Sequence, residues 1–187
     1  MNSNLRRITM IAMITAAISV ISPFSIPIGT VPVSLSTFAL MLGLYILGVR
    51  DMLISCLLYL ALGAVGLPVF SNFGAGIPKL IGPTGGYLAG YLLLVCAAGL
   101  IMKLGKQRRA FDAIGFALGT ALLYALGTLW LAVSMKMSFS DALLAGVIPF
   151  LPGDAVKIAL AVALGPLISK RIAASRKETT DNGVKNG

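Results

Sequence analysis

Apolar residues in this chain gather into six long blocks, at residues 8–21, 33–49, 52–67, 87–102, 111–135 and 149–168, with most of the charge between them. Each block is bounded by charge or by proline and glycine. None shows the alternation of apolar and polar positions that marks a barrel strand. The blocks are apolar all round and rich in Leu, Ala and Met, which predicts helices that satisfy their own backbone inside lipid. A spanning helix needs about 20 mainly apolar residues. The chain therefore reads as an all-α bundle of six transmembrane helices over residues 1–172, followed by a polar tail at 173–187 whose composition predicts a disordered cytoplasmic segment. The first block follows Arg6 and Arg7 as a secretion signal would. No convincing small-residue cleavage site follows it, and the stretch from Pro23 to Pro32 leads into further apolar sequence, so it predicts a retained first helix.

Composition agrees with that pattern. The 187 residues are 58% hydrophobic and 11% charged, with a mean hydropathy of +0.96, which places the chain in the cell membrane as a multi-pass protein whose first partner is the lipid bilayer. Its 15 basic residues are distributed unevenly. Arg6, Arg7, Arg50, Lys103, Lys106, Arg108, Arg109, Lys170, Arg171, Arg176, Lys177 and Lys185 fall to one side of the six-helix scheme, and only Lys79 and Lys136 to the connections on the other. The excess of Lys and Arg in cytoplasmic connections puts both termini inside. Topology and anionic headgroups account for the net charge of +9, and no aromatic-studded basic surface argues for nucleic acid.

Proline is distributed the other way. Pro23, Pro27 and Pro32 lie between the first and second helices, Pro68, Pro78 and Pro83 between the third and fourth, and Pro149 and Pro152 between the fifth and sixth. Irregular backbone near membrane depth survives where protein covers it or where it lines a cavity, so three such connections on the outer face predict a pocket there. In the longest, Gly82, Pro83, Thr84, Gly85, Gly86 and Tyr87 combine a rigid turn, a hydroxyl, bare backbone and an aromatic ring at a helix start. Bare backbone lets a ligand approach closely, although close helix packing is the competing use of such glycines. No Walker or dinucleotide fingerprint is present.

The last block opens on Pro152, Gly153, Asp154 and, one turn on, Lys157. Asp154 suits a helix N-cap. Lys157 opposes the helix dipole and, in an apolar helix, must snorkel, pair with Asp154 or meet an anion. A ligand carrying both an amide-like group and a carboxylate would use the pair. Other chemistries lack parts: there is no histidine, and Cys56 and Cys96 sit singly in different apolar blocks. A metal site, a catalytic triad and a nucleotide site of the chain's own are not expected, so neither enzyme activity nor a cofactor is predicted.

Four stretches together carry a family resemblance: Pro27 through VPVSLSTF, YLALGAVGLPVF ending at Phe70, GPTGGYLAGY and PGDAVKIALA. They resemble the BioY family, the biotin-specific S components of energy-coupling factor (ECF) vitamin transporters. The resemblance implies a six-helix bundle that captures biotin from outside and is energised by a transmembrane coupling protein (the T component) and two cytoplasmic ATPase subunits. It carries the family's binding residues onto Asp154, Lys157 and the turn Thr84, Gly85, Gly86 and Tyr87, with Asn72 as a polar contact from the preceding loop. Phe70, Phe73, Tyr87 and Phe38 are expected as apolar walls, and Lys157 and Lys79 are the cations available to the biotin carboxylate. Ala12 and Ala16, four apart on the first helix, are the small residues on which the resemblance implies docking to the coupling protein. A stand-alone carrier of biotin or another small carboxylate is the alternative, disfavoured because the two halves of the chain share no motif.

Overall fold

The computed structural model describes residues 3–26, 31–105 and 108–185. Pro27, in the first outer connection, and Lys106, among the inner basic residues, lie outside the described residues. Helix α1 spans Ser3–Ile21, the strand pair β1 (Ser25–Ile26) and β2 (Val33–Ser34) forms an antiparallel hairpin, and α2 spans Ser36–Ala64. After a 3-10 turn at Ser71–Phe73 come α3 (Ile77–Ile81), α4 (Gly85–Leu104), α5 (Arg109–Met135) and α6 (Phe139–Gly146). A second 3-10 turn, Ile148–Phe150, leads into α7 at Leu151–Lys185.

The second and third predicted helices form one element with a reversal inside it. Gly48 has φ +74° and ψ 175°, a conformation essentially restricted to glycine. Met52 packs against Gly43 as a consequence, whereas nine residues along a straight helix would separate them by roughly 13 Å. Among the described residues, five helical stretches are long and apolar enough to cross a membrane. With α2 counted as two passes folded at Gly48, they give the six spans expected.

Backbone approach explains the tightest pair. On α5, Gly115 and Gly119 lie against the main chain of Ala98 and Leu94 on α4, and Gly90 of α4 lies against Leu123. The core between α2, α4, α5 and α7 is filled by Leu40, Met41, Met52, Tyr59, Leu94, Val95 and Phe116, all fully buried. A second acid lies in that core on the inner side: Tyr45 donates to Asp112 Oδ2 at 2.8 Å. Most of α1 is exposed in the isolated chain, including Leu5, Ile8, Met13 and Val20. Lipid or a partner is the natural cover for such a surface.

The helix α7 continues to Lys185 and takes in most of the stretch at 173–187 expected to be disordered. Its Ala, Arg, Lys and Glu residues are good helix formers, so a polar composition does not by itself break the helix.

Candidate ligand-binding cavity

The site is built at the outer end of α7. Pro149 in the 3-10 turn and Pro152 in the first helical turn set the direction of entry, a position where proline's missing N–H costs nothing. Asp154 is inside the helix and its carboxylate faces the bundle. Tyr124 of α5 donates its hydroxyl to Asp154 Oδ2, and Lys157 donates to Oδ1 at 2.7 Å. The carboxylate thus bridges α5 to Lys157, where the sequence pattern suggests an N-cap.

Lys157 reaches further. Its ammonium donates to the main-chain carbonyl of Ser34 at 2.7 Å and lies 3.4 Å from Thr37 Oγ1. Asp154 is 6% and Lys157 8% exposed. Two charges this well covered are tolerated because each faces its opposite and further hydrogen bonds occupy the remaining positions. The pair ties α7 to α5, to the hairpin and to the start of α2.

A cavity with about 520 Å³ of atom-free space, counting its open mouth, lies over this pair. Asp154, Lys157, Ser34 and Thr37 form its polar wall, and Tyr87, Tyr91, Tyr124 and Phe150 form its aromatic one. Val31, Pro32, Ser71 and Thr84 come from the outer connections. Tyr87 is fixed by a hydrogen bond from its hydroxyl to the Gly146 carbonyl at 3.0 Å and by contact of its ring with Gly127.

Of the residues singled out in the sequence, Asp154, Lys157, Thr84 and Tyr87 meet at this cavity. The others serve the surrounding frame. A Cβ at Gly85 would collide with the Leu80 carbonyl, and one at Gly86 with Trp130. Trp130 Nε1 also donates to the Gly82 carbonyl at 2.8 Å, so the two glycines let the turn settle onto α5. Phe70 is fully buried, edge-on to Tyr59 at 5.5 Å, with its ring over Gly63. Asn72 has φ 56° in its 3-10 turn. Its Oδ1 accepts from Ser25 Oγ at 2.8 Å, and it lines a separate outer pocket with Phe24 and Phe73. Phe38 packs half-buried against the core. Lys79 lays its stem along Gly74, and burial lowers its ammonium from the usual lysine value. It is not on the cavity wall. Ala12 and Ala16 are exposed on α1.

Tyr91, Tyr124, Ser34 and Thr37 also line the cavity and are not among the binding residues expected from the sequence. A signal existed for the tyrosines: a hydroxyl in an apolar membrane helix needs a partner, and Tyr87 and Tyr91 are spaced to share one face. Ser34 contributes a main-chain carbonyl, which side-chain chemistry does not announce. Among the described residues no three His, Cys, Asp or Glu side chains converge as a metal site would require.

The profile of the BioY family matches residues 1–174. Biotin transporter BioY2 of Lactococcus lactis subsp. cremoris (strain MG1363) is 35% identical over 96% of this chain and 99% of its own. Biotin transporter BioY of Thermotoga maritima is 35% identical over 89% and 97%, and a probable biotin transporter BioY of Pyrococcus horikoshii is 36% identical over 85% and 93%. The crystal structure of the S-component for biotin from an ECF-type ABC transporter superposes with a TM-score of 0.83 at 29% identity, covering 91% of this chain and 95% of that one. Profile, relatives and fold agree over nearly the whole length, and the chain belongs to the BioY family.

Proposed function

We propose that this protein is the high-affinity biotin-capturing subunit of an ECF-type vitamin transporter. The observation that carries the reading is the buried Asp154–Lys157 pair on the wall of an aromatic cavity at the outer end of the bundle. Biotin presents a ureido group with two N–H donors and one carbonyl, fused to an apolar sulfur ring that bears an aliphatic acid chain. Asp154 supplies an acceptor for a ureido N–H. Lys157, held by Asp154 and Ser34, supplies a charged donor for the carbonyl in place of its long 3.4 Å contact with Thr37 Oγ1. Tyr87, Tyr91, Tyr124 and Phe150 cover the ring and the first part of the chain, where burial of apolar area gives affinity and the polar contacts give orientation.

The carboxylate end faces the mouth in this reading. Lys157 already has its charge balanced by Asp154 at 2.7 Å, and a second anion next to Asp154 would be repelled. The neutral ureido head suits the balanced pair better than the acid does.

Asp154 and Lys157 bind and orient, and no bond is made or broken at the site. Concentrative uptake then needs energy from outside this chain, supplied by a T component and two cytoplasmic ATPase subunits. The exposed small-residue positions Ala12 and Ala16 on α1 support docking there, since they let a second helix approach closely. Uptake of labelled biotin by cells with no other biotin uptake route tests this. Accumulation that requires a co-expressed coupling module supports the subunit reading; equal accumulation without it would replace that reading with a stand-alone carrier.

A further inference from the structure

A second cavity lies at the opposite, arginine-rich end of the molecule, between α1 and the second pass of α2. It has about 840 Å³ of atom-free space, counting its open surroundings, and is lined by Asn4, Arg7, Ile8, Ile11, Arg50 and Ile54. Its chemistry is divided. Ile8, Ile11 and Ile54 make an apolar floor along two spanning helices, and Arg7 and Arg50 stand at its end. Arg7 Nε bonds both carboxylate oxygens of Asp51, at 2.9 and 2.8 Å, and its Nη2 also bonds that group. Asp51 therefore holds the Arg7 guanidinium in one orientation. Donors remain on its other terminal nitrogen, because a guanidinium carries five N–H groups. Arg50 is exposed, and among the described residues no carboxylate lies within ion-pair distance of it. Arg7 and Arg50 against Asp51 leave one net positive charge at the mouth of an apolar groove.

We infer that this groove is a binding site for one anionic glycerophospholipid of the cytoplasmic leaflet. The arginines face the leaflet in which anionic headgroups are concentrated, and basic pockets between helices on that side bind such headgroups. The phosphodiester is placed against Arg50 and the free edge of Arg7, with an acyl chain along Ile8, Ile11 and Ile54. A soluble phosphate shares the headgroup chemistry but has nothing to place on the isoleucine floor. The site is separate from the biotin cavity and shares no residue with it.

Native mass spectrometry of the purified full chain tests the inference, with phosphatidylglycerol and phosphatidylcholine offered at equal concentration. The expected spectrum shows one phosphatidylglycerol retained in preference to phosphatidylcholine and not displaced by excess inorganic phosphate. Arg50→Gln is expected to weaken that binding about fivefold, the share of one surface arginine. Arg50→Lys keeps it, and Ile54→Trp, which fills the floor, removes it. Biotin binding by all three variants stays at the level of the parent and reports that they are folded. Equal retention of the two lipids, displacement by inorganic phosphate, or unchanged retention in Arg50→Gln and Ile54→Trp would overturn the inference.

Discussion

The ammonium of Lys157 on the last helix bonds the main-chain carbonyl of Ser34, 123 positions earlier, at 2.7 Å. Through that bond, and through Asp154 to Tyr124, one charged pair holds the outer ends of three separated stretches of chain around the cavity. Structure and recognition are therefore coupled at these residues: what orients the ligand also closes the bundle.

Removing one partner of the pair strands the other. Lys157→Met is expected to weaken biotin binding at least tenfold and to lower stability by ~3–5 kcal/mol, the usual cost of leaving a buried charge uncompensated. The double variant Lys157→Met with Asp154→Asn is expected to recover part of the stability but not the binding. Thermal unfolding and calorimetry on Lys157→Met, Asp154→Asn and the double variant check this; a double variant that loses the sum of the two single losses would mean the groups act independently.

The ureido assignment separates the head of the ligand from its acid. Lys157→Met is expected to reduce affinity for biotin and for biotin amide by the same factor. A loss confined to biotin would place Lys157 on the carboxylate instead.

Tyr124→Phe removes one hydrogen bond to a carboxylate without changing shape. A bond to a charged group contributes ~1.5–3 kcal/mol, so roughly a ten- to hundredfold loss of biotin affinity or an equivalent loss of stability is expected. No change in either would show that Asp154 does not depend on Tyr124.

The turn before α4 is held by fit. Gly86→Ala is expected to lower the unfolding temperature and weaken biotin binding together, because the added methyl meets Trp130 and displaces Thr84 and Tyr87. Gly48→Ala is expected to lower the unfolding temperature with little change in the site, since its strain is at the inner reversal of α2. A Gly86→Ala protein that unfolds and binds like the parent would exclude the fit argument.

How much of this was legible beforehand follows from where each residue's chemistry lies. Six spans could be read because lipid demands long apolar segments, and Asp154 and Lys157 because charge in such a segment requires a reason. Thr84 and Tyr87 followed from their position at a helix start between prolines and glycines. Gly85 and Gly86 could be seen as close-approach positions, but not what approaches them; Trp130 comes from 44 residues further along the chain and only the fold brings it there. Asn72 and Phe70 share a loop with the site in sequence and stand off the cavity wall in space, because their turn folds back onto Ser25 and Gly63. The Ser34 carbonyl carries no side-chain signature at all.

The most direct measurement is a calorimetric titration of the purified protein, alone in detergent, with biotin. Saturable binding of one biotin per chain is the predicted result; absence of heat and of saturation across the accessible range would contradict the account.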